Sequence, residues 1–207
     1  MFNVVTVARE YGSGGSDIGR RVAELLGWEC LDKQIIERVA AKGKVDRAWA
    51  EKADELTPTW WDRVMKSISY GSPEAYVEEA VESETDRDQL QKFTANVIDE
   101  AGKQGKCVII GRSAQCVLRH APHVLHVLAY APLAEKIERM KLRHPQEPDL
   151  PALLRRMDSE RAHYTQNYYG YDWSNRALYQ LCVNSTMGID ACAGLIVQAI
   201  RQAETRQ

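Results

Sequence analysis

No run of apolar residues in this 207-residue chain approaches the ~20 needed to cross a bilayer as a helix. No stretch of Lys and Arg is long enough to form a nucleic-acid footprint, and the formal net charge is −2. Neither a membrane nor a nucleic acid is therefore expected as a partner. The five cysteines (Cys30, Cys107, Cys116, Cys182 and Cys192) are odd in number, and no two stand at C-x-x-C spacing. That argues against structural zinc and a disulfide framework, and fits a reducing compartment. The stretch Met1-Phe2-Asn3-Val4-Val5 has no basic segment ahead of an apolar one, so no signal peptide is expected and the cytoplasm is the expected location. Internal repeats and low-complexity tracts are absent as well.

What is present is ordinary for a globular protein: 44% hydrophobic and 27% charged residues, enough for one substantial core with a small insertion. Asn3–Ala8 is short, apolar and β-branched, as expected for a strand buried on both faces. Ile18, Val22, Leu25 and Leu26 form a helical stripe that Gly27 ends. Trp28–Leu31 predicts a second strand, and Asp32 a cap for a helix carrying Ile35, Ile36 and Val39. From 44 to 87 the composition turns charged, with Trp49, Trp60 and Trp61 interspersed, which predicts a helical insertion. Leu90–Ala101 reads as a helix, Cys107–Ile110 as a strand and Val124–Ala129 as another. Pro132 fits the first turn of a helix through Arg143, and a polar helix is expected from Pro151 to about Tyr168. Leu178–Val183 predicts the last strand, and Gly188–Ile200 a closing helix with Ile189, Leu195, Ile196 and Ile200 inward. Five short strands alternating with helices imply an α/β fold whose parallel sheet is covered on both faces.

The turn after the first strand carries chemistry. It reads Arg9-Glu10-Tyr11-Gly12-Ser13-Gly14-Gly15-Ser16-Asp17. A strand, a glycine-rich turn and a helix together can cradle phosphate, because glycines let the backbone approach and the helix start offers unsatisfied amides. An ordinary tight turn is the competing reading. The standard phosphate loop, G-x-x-x-x-G-K-[ST], is not matched, for Gly15 stands where lysine is expected. Arg9, Arg20 and Arg21 are candidates for the missing charge, although Arg20 and Arg21 equally suit a solvated helix face.

The run Ala8-Arg9-Glu10-Tyr11-Gly12-Ser13-Gly14-Gly15, continued by Ile18-Gly19-Arg20, resembles the phosphate loop of the cytidylate kinase-like family. The likeness extends through Leu31–Ile36, Gly111-Arg112-Ser113 and the C-terminal third, and is weakest from about 45 to 87. It implies one three-layer P-loop kinase-like domain over 1–207. The insertion at 44–87 would be an acceptor-binding or partner subdomain, and 132–170 the lid with its flanking helices. ATP would be the phosphoryl donor with Mg2+ as cofactor, and a nucleoside monophosphate, CMP or dCMP, the acceptor. Gly12, Ser13, Gly14, Gly15, Ser16, Asp17 and Arg20 would bind the donor phosphates. No dedicated metal site is implied, and Ser16 or Asp17 would serve an ion that arrives with the phosphates. Asp32, Arg38, Arg112, Asp158 and Arg161 would hold the acceptor, and Arg9, Arg139, Arg143 and Asp158 would act on the transferring group.

Each assignment has a bland counterpart. Asp32 also suits a helix cap, and Arg139 and Arg143, with Lys136 and Lys141, a solvated helix face. Asp158 and Arg161 equally suit a surface ion pair at i,i+3. Relative to the family pattern, Ser113 stands for an aspartate and Met157 for an arginine beside Asp158. These departures keep two other functions open: a nucleotide-binding or regulatory module without turnover, and a kinase of another small molecule. A homo-oligomer is equally open. The aromatic run Tyr164, Tyr168, Tyr169, Tyr171 and Trp173 suits either base stacking or the packing of a helix end.

Overall fold

The computed structural model describes residues 1–32 and 84–204. The chain divides into two compact units, Met1–Asp32 with Ala101–Gln207, and Lys33–Glu100. The helix expected after Asp32, Arg38 and residues 44–83 of the expected insertion lie outside the described residues. Within the second unit the structure describes the start of a helix, α2, that runs Glu84–Gln104 and so begins earlier than the pattern from Leu90 predicts. Among the described residues no helix is long and apolar enough to cross a membrane.

The first unit is built on a five-stranded sheet in the order β2-β3-β1-β4-β5, with every pairing parallel. Its strands are β1 (Val4–Arg9), β2 (Glu29–Leu31), β3 (Cys107–Ile110), β4 (Val124–Tyr130) and β5 (Leu181–Asn184). β1 is central, pairing Val4 with both Cys107 and Val124. Alternation along it sends Val5 and Val7 to one face of the sheet. There they pack with Val108, Ile110 and Val127 against helix α1 (Gly15–Leu26) and helix α6 (Ile189–Glu204). Ile18 and Val22 from α1, and Cys192, Ala193, Ile196 and Ile200 from α6, fill this layer. On the opposite face Ala8 and Leu128 pack with Tyr179, Trp173 and Leu178. Helix α3 (Ala114–Val117) follows β3 there, so helices and loops cover both faces.

Helices α4 (Leu133–Arg143) and α5 (Leu150–Tyr169) follow β4 and share a small core of Met140, Leu150, Leu153 and Leu154. Asp149 caps α5 by accepting from the Ala152 amide at 2.9 Å.

Two expectations fail for local reasons. The last strand does not start at Leu178, because Asn175 accepts from the Ala177 amide and nucleates a 3-10 turn over Arg176–Leu178. Gln180 then joins the sheet from outside it: its amide donates to the His126 carbonyl, and its side-chain oxygen accepts from the His126 amide. Leu195 points outward at 44% exposure, while Cys192 and Ala193 take the inward places beside Ile196. His126 packs in the sheet, its ring nitrogen Nδ1 2.7 Å from the Thr6 hydroxyl, and burial pushes its pKa down to about 4.

Candidate active site

The site forms where β1 and β4 end and α1 begins, the edge at which parallel sheets place their ligands. After Arg9 the chain turns through Gly12 and Gly14, at φ 79° and 75°, values that cost a glycine nothing. Gly14 sits just ahead of α1. The loop holds itself: the Ser13 amide donates to the Glu10 carbonyl at 3.2 Å, and the buried Ser13 hydroxyl accepts from the Gly15 amide at 3.3 Å. Among the described residues the amides of Gly12, Gly14 and Ser16 have no acceptor, as an anion cradle requires.

Gly15 is tight for a different reason. A Cβ there would overlap the Cβ of Arg9 and stand 2.9 Å from that of Ala129. Arg9 leaves the end of β1 and lies across this glycine. Its Nε donates to the Ser16 hydroxyl at 3.2 Å. Its other end reaches Gly111, where a Cβ would overlap the guanidinium. Burial, and next the charge of Arg161, lower the Arg9 pKa to about 10; Asp32 opposes this, and Arg112 and Arg20 add to it. Three further arginines thus act on Arg9, of which Arg161 is paired with Asp158 and Arg20 with Asp17, while Asp32 is the carboxylate that opposes them at Arg9 itself.

Arg161 reaches back from α5 and donates to the Arg9 carbonyl at 2.8 Å and to Asp158 Oδ1 at 3.2 Å. Asp158 also accepts from the Tyr11 amide at 2.6 Å, so the pair expected at i,i+3 on α5 pins the loop as well. Burial raises the Asp158 pKa, while the Tyr11 amide, Arg161 and Lys136 hold it down. Lys136 is the residue whose role the sequence concealed. From α4 its Nζ reaches Glu10 at 3.0 Å and Asp158 at 3.7 Å with only 12% of its side chain exposed. Nothing in the spacing of α4 distinguishes it from its exposed neighbour Lys141.

Arg139 and Arg143, expected together in the lid, are placed differently. Arg139 donates to the Ser13 carbonyl at 2.8 Å, to the buried Ser185 hydroxyl at 2.7 Å and to the Ser185 carbonyl at 3.1 Å. It therefore clamps the loop to the segment after β5, and Ser185 had no sequence signal beyond following a strand. Arg143 pairs with Asp17 at 2.9 Å, and Arg20 takes the other oxygen of Asp17 at 2.7 Å. The negative charge of Asp17 beside the loop is thereby offset by two arginines. Arg20 also stands 3.9 Å from Asp32. Arg21 turns away to Glu24 and Asp190.

Arg112 and Ser113 both adopt φ 53°, directly after Gly111 at φ 80°. Left-handed backbone at two consecutive non-glycine residues is a strained arrangement that marks functional loops. The Arg112 guanidinium lies 5.7 Å from the Tyr164 ring centre, and burial lowers its pKa. Ser113, in the place of an acidic residue, is 2.8 Å from the Thr165 hydroxyl and ties this loop to α5. Met157 packs on the core shared by α4 and α5, which suits a thioether and not a guanidinium. The aromatic run packs internally: Tyr164 lies edge-on to Tyr168, Tyr171 faces Arg119, and Trp173 joins Ala8 and Leu128.

A parallel sheet with a phosphate-type loop leading into α1, flanked by arginines from other elements, defines a P-loop kinase fold. The chain is similar over its whole length to solved structures of this kind. An uncharacterized protein from Eubacterium ventriosum matches with a TM-score of 0.70 and 18% identity, covering 97% of this chain and 99% of that one. A shikimate kinase from Acinetobacter baumannii, in complex with shikimate, matches with a TM-score of 0.52 and 16% identity over 98% and 95% of the two chains. At these identities the likeness concerns the fold. A cytidylate kinase from Pyrococcus horikoshii is 26% identical over 187 residues, covering 88% of this chain and 80% of that protein. The model of the cytidylate kinase-like family matches residues 4–187, and the chain belongs to that family. Fold and family together make it a kinase-type protein of nucleotides or other small molecules.

Proposed function

We propose that the protein transfers the γ-phosphoryl group of ATP to a nucleoside monophosphate, CMP or dCMP in first place. The observation that carries this reading is the convergence of Arg9, Arg161, Arg112 and Arg20 beside a loop whose Gly12, Gly14 and Ser16 amides lack acceptors among the described residues. Such a site suits a reaction whose catalysis is mostly positioning and charge stabilisation. The loop amides bind the donor phosphates. Arg161, steadied by Asp158, and Arg112 orient the acceptor phosphate, one oxygen of which attacks the γ-phosphorus. The bond from that phosphorus to the bridging oxygen of ADP breaks as the new bond forms, and no proton need leave a dianionic acceptor.

Mg2+ fits the donor set beside the loop, where the Ser16 hydroxyl and the Asp17 carboxylate are oxygens of the type it prefers. Asp17 is held there by exposed ion pairs to Arg20 and Arg143, which exchange at little cost. When bound, the ion would neutralise phosphate charge. The acceptor assignment is supported by the family and by the named activity of the Pyrococcus relative.

Purified protein with Mg-ATP and each common nucleoside monophosphate should release ADP with CMP or dCMP, and an Arg161→Ala preparation should not. A nucleotide-binding role without turnover has one observation in its favour: Arg139, expected in a closing lid, is already committed to Ser13 and Ser185. ATP binding without acceptor-dependent ADP release would establish that role and displace the kinase reading. ADP release with a different acceptor would redirect the substrate assignment.

A further inference from the structure

This chain departs from the standard phosphate-loop pattern at both ends of the same motif. The pattern G-x-x-x-x-G-K-[ST] laid on the loop has its first glycine at position 9, its second at Gly14, its lysine at position 15 and its hydroxyl residue at Ser16. Gly14 and Ser16 comply. The two departures, Arg9 for glycine and Gly15 for lysine, are far apart in the motif but touch in space. A Cβ at position 15 would overlap the Cβ of Arg9, so a side chain at one of these positions excludes a side chain at the other. We infer that Arg9 and Gly15 are a reciprocal exchange: the phosphate-binding cation of this loop enters from the end of β1 as the Arg9 guanidinium, in the place the helix-borne lysine would fill. The inference rests on the kinase reading for its chemistry, but its first prediction concerns phosphate binding alone.

Three observations favour Arg9 over the other candidates. Its Nε donates to the Ser16 hydroxyl, so the guanidinium is anchored at the residue that closes the motif. Among the described residues its two terminal nitrogens have no acceptor, although the group is part-buried and other arginines stand close enough to lower its pKa, an arrangement that an anion completes. Gly111, at the end of β3, leaves the space that the far end of this side chain occupies. Arg20 and Arg21, by contrast, are engaged with Asp17 and with Glu24 and Asp190 on an exposed helix face. The planar fork of arginine also supplies two parallel donors to a phosphate, where lysine supplies a point charge.

The test is a double-mutant cycle read first by calorimetric binding of ATP and of inorganic triphosphate at two salt concentrations, then by turnover. Arg9→Gly should weaken triphosphate binding by about 100-fold and flatten its salt dependence. Gly15→Lys alone should be comparably damaging, because the new side chain collides with Arg9. The double variant Arg9→Gly/Gly15→Lys restores the standard spacing and should recover binding to within about tenfold of wild type. Ala129, whose Cβ is 2.9 Å from a Cβ at position 15, is relieved in a parallel Ala129→Gly background. Arg9→Lys, which keeps the stem and the charge, is the control for folding, checked by its melting curve. Additive losses in the double variant, in both backgrounds, would overturn the exchange, as would unchanged triphosphate binding in folded Arg9→Gly. If the cycle holds in binding while no acceptor supports turnover, the kinase reading fails and the exchange stands. If turnover holds and the cycle is additive, the exchange alone fails.

Discussion

Arg9 and Arg21 belong to the same strand–loop–helix element and have opposite surroundings. Arg9 lies part-buried across Gly15, its pKa lowered to about 10 by desolvation and then by Arg161. Arg21 projects from the far part of α1, where Glu24 first and Asp190 next hold its pKa above the ordinary value. One cation sits where like charges have been gathered, and the other where opposite charges satisfy it in water. Like charges gathered around a part-buried cation cost folding stability, and an anionic ligand would offset that cost. The exposed pair contributes solubility and little else. Between these extremes stands Arg139, part-buried and held by three hydrogen bonds, whose partners are the loop itself and Ser185.

Substitutions ranked along this series test it. Arg161→Ala should have the largest effect among the three, a loss of about 100-fold or more in turnover, because it removes a cation from the cluster and frees Asp158 and the Arg9 carbonyl together. If ATP binding and turnover both survive it, the buried cluster is a structural device and the contrast with Arg21 collapses. Arg139→Ala should lower stability by about 2 kcal/mol, since it strands the buried Ser185 hydroxyl and the Ser13 carbonyl, and should lower turnover by about tenfold through loosening of the loop. Denaturant unfolding gives the first number and steady-state kinetics the second. A kinetic loss without a stability loss would make Arg139 a phosphate ligand instead of a clamp. Arg21→Ala should leave turnover unchanged and shift the melting temperature by about 1 °C or less. A kinetic effect there would move the boundary of the site along α1.

Local patterns were readable because they depend on neighbours in the chain. The β-branched run at Val4–Val7, the stripe Ile18–Val22 and the glycines at 12 and 14 each declare their element within a few residues. The same holds for the pairing of Asp158 with Arg161, one helical turn apart. What misled was also local. Leu195 fits an apolar stripe by hydrophobicity yet faces outward, because Cys192 and Ala193 pack more closely where α6 meets α1. Leu178 reads as strand but belongs to a turn that the Asn175 side chain nucleates. Lys136 and Ser185 could not be singled out at all, since their partners Glu10 and Arg139 are distant in sequence and reach them only through the parallel crossovers.

By itself the amino-acid sequence determined that this chain folds as a parallel α/β protein with a glycine-rich turn at the end of its first strand, for periodicity and glycine placement act over short distances. It also determined that the turn has no lysine. Which cation lies against Gly15, and which arginines face solvent, was decided only by the tertiary structure. The reason is steric and electrostatic at once: β4 brings Ala129 beside β1, the loop folds Gly15 onto Arg9, and α5 returns Arg161 to the same point.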